Sequence, residues 1–397
     1  MPAQSPIDPA RLRAVLAPTL GDSRTLPAEA YRSDEVFDWE TEHFFEGGWV
    51  CLGRGDDLAE PGDQRAFRIG SEGILVVRDL EGTLRGFYNT CRHRGHELLE
   101  PDASRNLRAI KCPYHAWVYQ LDGTLGAAPR FGDQPGFDKA DYPLIAARLA
   151  EWHGWIFVNA SGGGADLAEV VGNLDDLVAP WEPERLFVGA SHTYEIEANW
   201  KTITENYHEC YHCPSIHPAL CVVTPPDSGE NFAHDGHWVG GSMELKDFAQ
   251  TMSLTGESGG APIRGLNDRQ RREVYYFGLF PNLLLSLHPD YVMTHRFEPL
   301  APGRTKVECQ WLFPPEARDR ADFSPAYASE FWDITNREDW LACESVYRGL
   351  GSEGFRQGPF AWSEDEVHAF MALVAQGYLD GHASPPPQIQ EPDAAGV

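Results

Sequence analysis

The chain contains Cys91-Arg92-His93 and, after residues 94–111, Cys112-Pro113-Tyr114-His115, and these two stretches decide the fold around them. Each stretch is led by its cysteine, so together they offer two thiolates and two imidazoles. This set suits a [2Fe–2S] cluster in which cysteines hold one iron and histidines hold the other. Zinc uses the same residue types, but zinc sites more often pair cysteine with cysteine and histidine with histidine. The mixed order favours the cluster, and His96 is left as an outer or surface histidine.

Length and charge limit the class of protein. At 397 residues, the chain is expected to form two or three domains. Its formal charge of −28, from 32 basic and 60 acidic residues, argues against nucleic acid or an anionic membrane surface as partner. The segment Met1–Pro6 leads into no apolar stretch of a signal peptide, and no run approaches the roughly 18 apolar residues of a membrane helix. We therefore expect a cytoplasmic protein, and for its eight cysteines no structural disulfide.

The strand and turn pattern divides the chain. Short strands between Gly, Pro and Asp turns surround both Cys-His stretches and predict an all-β domain. A glycine-rich link at residues 161–165 marks the boundary. The predicted segments are a helical lead-in that packs on the second domain (1–45), the all-β domain (46–160), the second domain (161–383) and a disordered Pro-rich tail (384–397).

In the second domain, a long helix is predicted from Ser324 to about Gly349, with Pro325 at its first position. Residues 222–270 lack periodicity and are interpreted as a lid, a binding loop or an interface segment. The predicted strands of this domain are Ser191–Glu197, Val274–Phe280, Leu283–Leu287, Val292–Pro299 and Thr305–Phe313.

A second metal site is predicted within Glu205–Pro218. A helix opening at Asn199 is expected to run into His212 and to end there because Pro214 cannot continue it, which lets His217 turn back. Two histidines and one carboxylate form the facial triad of non-haem Fe(II) oxygenases. Asp339 is a candidate third ligand, because it lies on the inward stripe of the long helix.

Two simpler interpretations of this segment remain open. Cys210 and Cys213 have the spacing of a redox or zinc motif, although they are expected inside a helix with no strand before them. His212 and His217 could also be ordinary residues at a helix end. The cluster upstream counts against the second interpretation, because its electrons need an acceptor.

Taken together, the motifs resemble those of the oxygenase (α) subunits of Rieske non-haem iron oxygenases over nearly the whole chain. The matching residues, in order, are the two Cys-His stretches, Asn199-Trp200-Lys201, Glu205-Asn206 through His212 and His217, and Glu338-Asp339. The run from Glu205 to Cys213, with Phe280-Pro281-Asn282 and Cys343-Glu344, is similar to the branch with choline, glycine betaine, stachydrine and carnitine oxygenases.

The resemblance implies an α+β protein: a Rieske all-β domain followed by a helix-grip (START-like) catalytic domain with an antiparallel sheet. It implies that Glu209 bridges the two centres across the interface of a head-to-tail homotrimer, with Asn206 near the iron. The implied cofactors are the [2Fe–2S] cluster and Fe(II), with O₂ as co-substrate and NAD(P)H acting through a separate flavin/iron–sulfur reductase. The resemblance assigns Cys91, His93, Cys112 and His115 to the cluster, and His212, His217 and Asp339 to the iron.

The expected reaction is hydroxylation or N-demethylation of a small quaternary ammonium compound by a monooxygenase or dioxygenase. Aromatic faces attract such a cation, and the candidates are Tyr275, Phe277, Tyr291 and Trp311. Hydroxylation of an aromatic acid is the alternative, with Arg296 as the first candidate for binding its carboxylate. A hypothesis of another class is a Rieske electron-transfer protein without oxygenase activity.

Overall fold

The computed structural model describes residues 4–132 and 134–387. Residues 388–397 of the predicted disordered tail lie outside it, as do residues 1–3 of the N-terminal segment. The chain forms two compact units. One is Thr41–Gly164, named here the β unit; the other, the mixed unit, takes in the chain up to Glu40 and from Ala165 onward.

The β unit consists of short antiparallel strands in three sheets, ordered β4-β3-β2-β5, β1-β10-β9 and β6-β7-β8. A hairpin turn at Glu81-Gly82 joins β3 to β4, where the Asp79 carboxylate accepts the N–H groups of Glu81 and Thr83. A π-helix, Thr41–Glu46, precedes the first strand. The strands are β1 Val50–Arg54, β2 Asp63–Ile69, β3 Glu72–Arg78, β4 Leu84–Tyr88, β5 Ser104–Asn106, β6 Ile110–Lys111, β7 Val118–Tyr119, β8 Leu125–Ala127, β9 Arg148–Trp152 and β10 Trp155–Asn159.

The mixed unit contains one antiparallel sheet of seven strands, in the order β11-β17-β16-β15-β14-β13-β12. The strands are β11 Phe187–Ile196, β12 Glu230–Asn231, β13 Trp238–Glu244, β14 Glu273–Leu279, β15 Leu283–Leu287, β16 Val292–Ala301 and β17 Arg304–Phe313. The helices are α1 Pro9–Val15, α2 Glu29–Arg32, α3 Asp34–Glu40, α4 Leu167–Val171, α5 Leu174–Val178, α6 Trp200–Tyr207, α7 Cys213–Ile216, α8 Leu220–Val223, α9 Ala326–Leu350 and α10 Asp365–Asp380. The predicted α+β class with an antiparallel sheet is confirmed.

The structure differs from the predicted elements at several places. β13 lies inside the segment 222–270, which was predicted without strands, because Gly240-Gly241 conceals it in the sequence. A Cβ on Gly241 would lie 1.9 Å from the Glu230 carbonyl oxygen, so the glycine is what allows β12 to pair there. α10 was not predicted. α9 begins at Ala326 rather than at Pro325, which is its N-cap.

α9 covers one face of the sheet and leaves the other to different elements. Asn336 of α9 contacts both His295 and Cys309, which are directly opposite each other on β16 and β17. Residues opposite one another in an antiparallel pair share a face, and that face alternates along each strand. The helix-facing set therefore comprises His192 and Tyr194; Val274 and Tyr276; Leu284 and Ser286; Met293 and His295; and Cys309 and Trp311.

A buried polar cluster anchors the start of α6. The Glu40 carboxylate accepts hydrogen bonds from Lys201 Nζ at 2.6 Å, from Trp200 Nε1 at 2.9 Å and from the Tyr378 hydroxyl. Asn199 caps α6 by accepting the Lys201 N–H at 3.0 Å. The asparagine and tryptophan before the lysine thus fix the helix that leads into the second candidate site.

Candidate metal centres

The two Cys-His loops of the β unit repeat one backbone pattern. The Cys91 N–H donates to the His96 carbonyl at 2.9 Å, and the Gly95 N–H returns to the Cys91 carbonyl at 3.0 Å. In the second loop, the Cys112 N–H donates to Trp117 at 2.8 Å and the Ala116 N–H to Cys112 at 3.2 Å. The fifth residue of each loop has positive φ, 74° for Gly95 and 58° for Ala116. Gly123, whose φ is 88°, lies in the turn between β7 and β8.

These loops bring the predicted cluster donors together. Cys91 and Cys112 are buried and free, and their thiols lie side by side. Burial, more than the neighbouring thiol, raises the pKa of Cys91. The rings of His93 and His115 are 4.6 Å apart, and His93 stacks on Trp117 at 5.0 Å.

Hydrogen bonding to the thiols comes from Tyr119. Its hydroxyl oxygen accepts the Arg92 N–H at 3.0 Å, which leaves its O–H to donate to the Cys91 sulfur 3.3 Å away. Arg94 and Tyr114, which are next to the two loop histidines in the sequence, have exposed side chains. Tyr119 could have been found from its position, since it follows the second loop on a strand with its side chain buried.

The residues present fit a [2Fe–2S] cluster. Two adjacent thiols and two adjacent imidazoles form the mixed donor set that two unlike irons require. Among the described residues, none hydrogen-bonds the buried Nδ1 of His93, a nitrogen that a metal would satisfy. His96 is exposed, and its Nδ1 lies 2.5 Å from the carbonyl oxygen of Glu97.

The second site lies where α6 ends. α6 stops at Tyr207, five residues before the predicted end at His212, and Pro214 occupies the first turn of α7 rather than terminating α6. His212 precedes α7 and His217 follows it. The short helix α7 between them brings the two Nε2 atoms to within 3.1 Å of each other.

Asp339 of α9 completes this group. Its Oδ1 lies 2.8 Å from His217 Nε2 and 3.4 Å from His212 Nε2. Within the described chain, this is the only set of three or more His, Cys, Asp or Glu side chains that could hold one metal ion. Burial alone would raise the pKa of Asp339, but the two histidines hold it below its usual range. Two imidazole nitrogens and an ionised carboxylate fit a facial triad.

Each histidine is oriented by a carboxylate on its other nitrogen. Glu338 accepts from His217 Nδ1 at 2.8 Å. Glu209 accepts from His212 Nδ1 and, at 3.0 Å, from the His212 N–H. These bonds place the proton on Nδ1 and leave Nε2 for metal. Asn206 Nδ2 lies 3.5 Å from His212 Nε2, beside the predicted iron position.

Cys210 and Cys213 form a disulfide, so the expectation of no structural disulfide is wrong for this pair. Their Cα atoms are 4.9 Å apart. Because α6 ends early, Cys210 lies in the loop that carries His212, and Cys213 is the first residue of the short helix α7. The spacing was noted in the sequence, but the helix predicted across it concealed the turn that lets the sulfurs meet.

Of the expected substrate-binding aromatics, Tyr275 and Phe277 lie on the face of the sheet away from α9, in contact with Trp181 and Phe232. Strand alternation places Tyr276 on the helix-facing side instead. Trp311 is buried on that side. Tyr291 is also buried, and its hydroxyl donates to the Met252 carbonyl at 2.8 Å.

Five further rings form an aromatic row next to the second site: Tyr276, Tyr207, His295, Trp340 and Tyr194. Successive ring centroids are 5.8, 5.8, 6.2 and 5.8 Å apart. Burial lowers the pKa of His295 to about 4, so its ring is neutral at pH 7. The Asp339 carboxylate acts electrostatically on His295, and Trp340 directly follows Asp339 on α9, so the row lies near the triad.

A unit suited to a Rieske cluster and a unit with a facial triad define an iron-dependent oxygenase. A family model for the Rieske [2Fe-2S] domain matches residues 48–138, and one for the ring hydroxylating alpha subunit (catalytic domain) matches residues 183–379. The carnitine monooxygenase oxygenase subunit of Escherichia coli K12 is 31% identical over 368 residues, covering 90% of this chain and 94% of that protein. The glycine betaine monooxygenase oxygenase subunit of Chromohalobacter salexigens is 28% identical, covering 85% of this chain and 82% of that protein.

Solved structures support the same family. The quaternary ammonium Rieske monooxygenase CntA superposes with a TM-score of 0.77 at 26% identity, covering 95% of this chain and all of that one. Naphthalene 1,2-dioxygenase from Rhodococcus sp. shares the fold, with a TM-score of 0.76 at 22% identity and coverage of 94% and 98%. The chain belongs to the Rieske non-haem iron oxygenases and is an oxygenase (α) subunit.

Membership of this family determines the class of reaction. The subunit is an oxidoreductase that uses O₂, with electrons supplied by a separate reductase, to oxidise a small molecule. The match to a ring-hydroxylating catalytic domain argues against the electron-transfer protein considered above. No helix in the described part of the chain has the length and apolar character needed to cross a membrane.

Proposed function

We propose that this oxygenase hydroxylates a carbon beside the nitrogen of a small quaternary ammonium compound. The observation that carries the proposal is the aromatic row beside His212, His217 and Asp339. Ring faces attract a cation without offering it a proton or a fixed counter-charge. The carnitine, glycine betaine and choline monooxygenases similar to this chain support the same substrate class.

The position of Arg296 argues against an aromatic acid. Arg296 is opposite Glu308 on the neighbouring strand, on the face away from α9, and its Nε lies 3.1 Å from that carboxylate. In the described strands β11, β14, β16 and β17, none of the helix-facing positions is Lys or Arg. A carboxylate bound in the aromatic row would therefore lack a basic partner on the sheet, and an aromatic acid, unlike a betaine, carries no cation for the ring faces to bind instead.

We also propose the roles of the site residues. Cys91, His93, Cys112 and His115 hold the cluster, and His212, His217 and Asp339 hold the iron. When bound, the iron supplies O₂ activation for insertion into a C–H bond. Glu209 and Glu338 keep the proton on Nδ1 of the ligand histidines, Glu209 links the two centres, and Asn206 lies beside the iron. Substrate, O₂, two electrons and two protons give a hydroxylated product and water.

The proposal includes a head-to-tail homotrimer, as the resemblance implies, in the cytoplasm, as the sequence leads us to expect. When the hydroxylated carbon is an N-methyl group, the product breaks down to formaldehyde and a tertiary amine. Sedimentation of the iron-loaded protein at three times the subunit mass is the expected result for the assembly.

A substrate screen tests the proposal. Oxygen uptake by the reconstituted enzyme and a reductase is expected with choline, glycine betaine, carnitine or γ-butyrobetaine, together with stoichiometric product. Aromatic acids of similar size are expected to give uptake no greater than without substrate. Product formed from an aromatic acid but from none of the quaternary ammonium compounds would overturn the proposal.

Tyr276→Leu is expected to raise KM for the quaternary ammonium substrate. A desolvated cation–π contact is worth about 2 kcal/mol, which corresponds to roughly 30-fold in binding. Phe277→Leu is the matched control, because the neighbouring residue faces away from α9. It is expected to lower thermal stability without changing KM. Equal KM changes in both variants would remove the aromatic row from substrate binding.

A further inference from the structure

The residues just before Glu209 are held in place from two sides. The Tyr207 hydroxyl donates to the Leu285 carbonyl at 2.7 Å, which ties the end of α6 to β15. The next side chain, His208, reaches α10, where its Nδ1 lies 2.6 Å from Glu366 Oε1. Glu209 follows immediately and contacts His212.

The side chain of His208 is fully enclosed. Its side chain is 0% exposed, and its ring lies against Phe370 at 6.3 Å with a 28° angle between planes. Because the Glu366 carboxylate accepts, Nδ1 carries the proton and donates it. Glu366 lies in the first turn of α10, where the helix dipole favours a negative charge.

The sheet leaves space for this ring only because residue 278 is glycine. A Cβ on Gly278 would lie 2.3 Å from His208 Nε2 and 2.9 Å from Cε1. The ring is thus bounded by β14 and α10. Moving it would require shifting packed backbone, so the Cα of residue 208 has little freedom.

We propose that His208, through its hydrogen bond to Glu366, is a positioning residue that fixes the loop carrying Glu209 and His212. The chain cannot move at residue 208 without breaking that bond or leaving the space beside Gly278. The Glu209 backbone therefore starts from a fixed point, and its carboxylate reaches both the N–H and Nδ1 of His212. This inference rests on the proposed roles of Glu209 and His212.

His208→Phe tests the inference. Phenylalanine keeps the ring against Phe370 and removes the Nδ1 donor. Because small misplacements of reacting groups cost up to about 100-fold in rate, we expect cluster reoxidation by O₂ in the presence of substrate to slow about tenfold. We also expect a smaller fraction of the consumed O₂ to appear as product and a changed EPR signal of the iron–nitric oxide adduct, with KM within about twofold of wild type.

His368→Phe is the matched control. His368 is on α10, the helix that carries Glu366. It is 2% exposed, and its Nε2 lies 2.8 Å from the Val15 carbonyl oxygen. The same substitution there is expected to cost comparable thermal stability but to leave the EPR signal and the O₂-to-product ratio unchanged.

Three further variants complete the test. His208→Asn, whose amide can still donate to Glu366, is expected to restore most of the wild-type ratio of product formed to O₂ consumed. Glu366→Gln keeps an acceptor and is expected to resemble wild type. If His208→Phe fails to fold, the double variant His208→Phe/Glu366→Leu removes the unpaired buried carboxylate and is assayed in its place.

Equal EPR signals in the His208 and His368 variants, or no rescue by asparagine, would show that His208 is merely structural. Wild-type enzyme that turns over no quaternary ammonium compound would contradict the proposed substrate instead. The EPR comparison requires no substrate, so the two failures are distinguishable.

Discussion

Asp339→Ala is expected to abolish turnover and mononuclear iron binding while the [2Fe–2S] cluster remains. The substitution removes the carboxylate oxygen that lies 2.8 Å from His217 Nε2 and 3.4 Å from His212 Nε2. Loss of an outer partner of a metal ligand costs roughly 10–100-fold, and loss of the ligand itself is expected to exceed that. Iron analysis should fall from three per subunit to two, with the visible spectrum of the cluster unchanged.

Glu330→Ala is the control for this prediction, because Glu330 is exposed on the same helix. It is expected to keep three irons and full activity. An Asp339→Ala protein that retains all three irons and turns over normally would show that another group is the third ligand. Loss of the cluster signal in the same variant would also contradict the prediction, since the cluster residues lie in the β unit.

Glu209→Gln is expected to produce the second-largest loss. Glutamine keeps the volume, but it cannot accept both hydrogen bonds that the carboxylate receives from the His212 N–H and Nδ1. We expect turnover to fall by about 100-fold or more, given the usual 10–100-fold cost of an outer partner and the additional role as the link between centres. Stopped-flow measurement should show a reduced cluster that fails to reoxidise on mixing with substrate and O₂.

Glu338→Leu, which removes the acceptor, separates the two roles of Glu209. Glu338 contacts the other ligand histidine through the corresponding nitrogen, His217 Nδ1. Its loss is expected to weaken iron binding about tenfold while cluster reoxidation in the iron-loaded protein stays near the wild-type rate. If both variants reoxidise at the same rate, Glu209 orients His212 and does not link the centres.

Much of the fold was predictable from local patterns. Leu283–Leu287 was predicted with the observed bounds, and the start of the strand Val292–Ala301 was correct, because turn residues flank both. β13 was missed because glycines disrupt its pattern. α10 was missed although its acidic first turn and Gly381 after its end are recognisable signals.

The candidate sites show where sequence patterns stop being informative. Cys91, His93, His212 and His217 stand in short motifs, so their chemistry is readable along the chain. The alternation of β14 was readable too, yet which face it presents to α9 was not. A one-residue change of register exchanges the two faces, and the expectation favoured Tyr275 and Phe277 over Tyr276.

The sequence by itself determined the kinds of donor, their order and the class of chemistry, because ligand identity is a property of side chains in local motifs. The tertiary structure decided which distant groups meet. His217 and Asp339 are 122 residues apart in the chain and 2.8 Å apart in space. The early end of α6, the Cys210–Cys213 bond and the contact of His208 with Glu366 likewise depend on packing, which sums many weak interactions that no local pattern encodes.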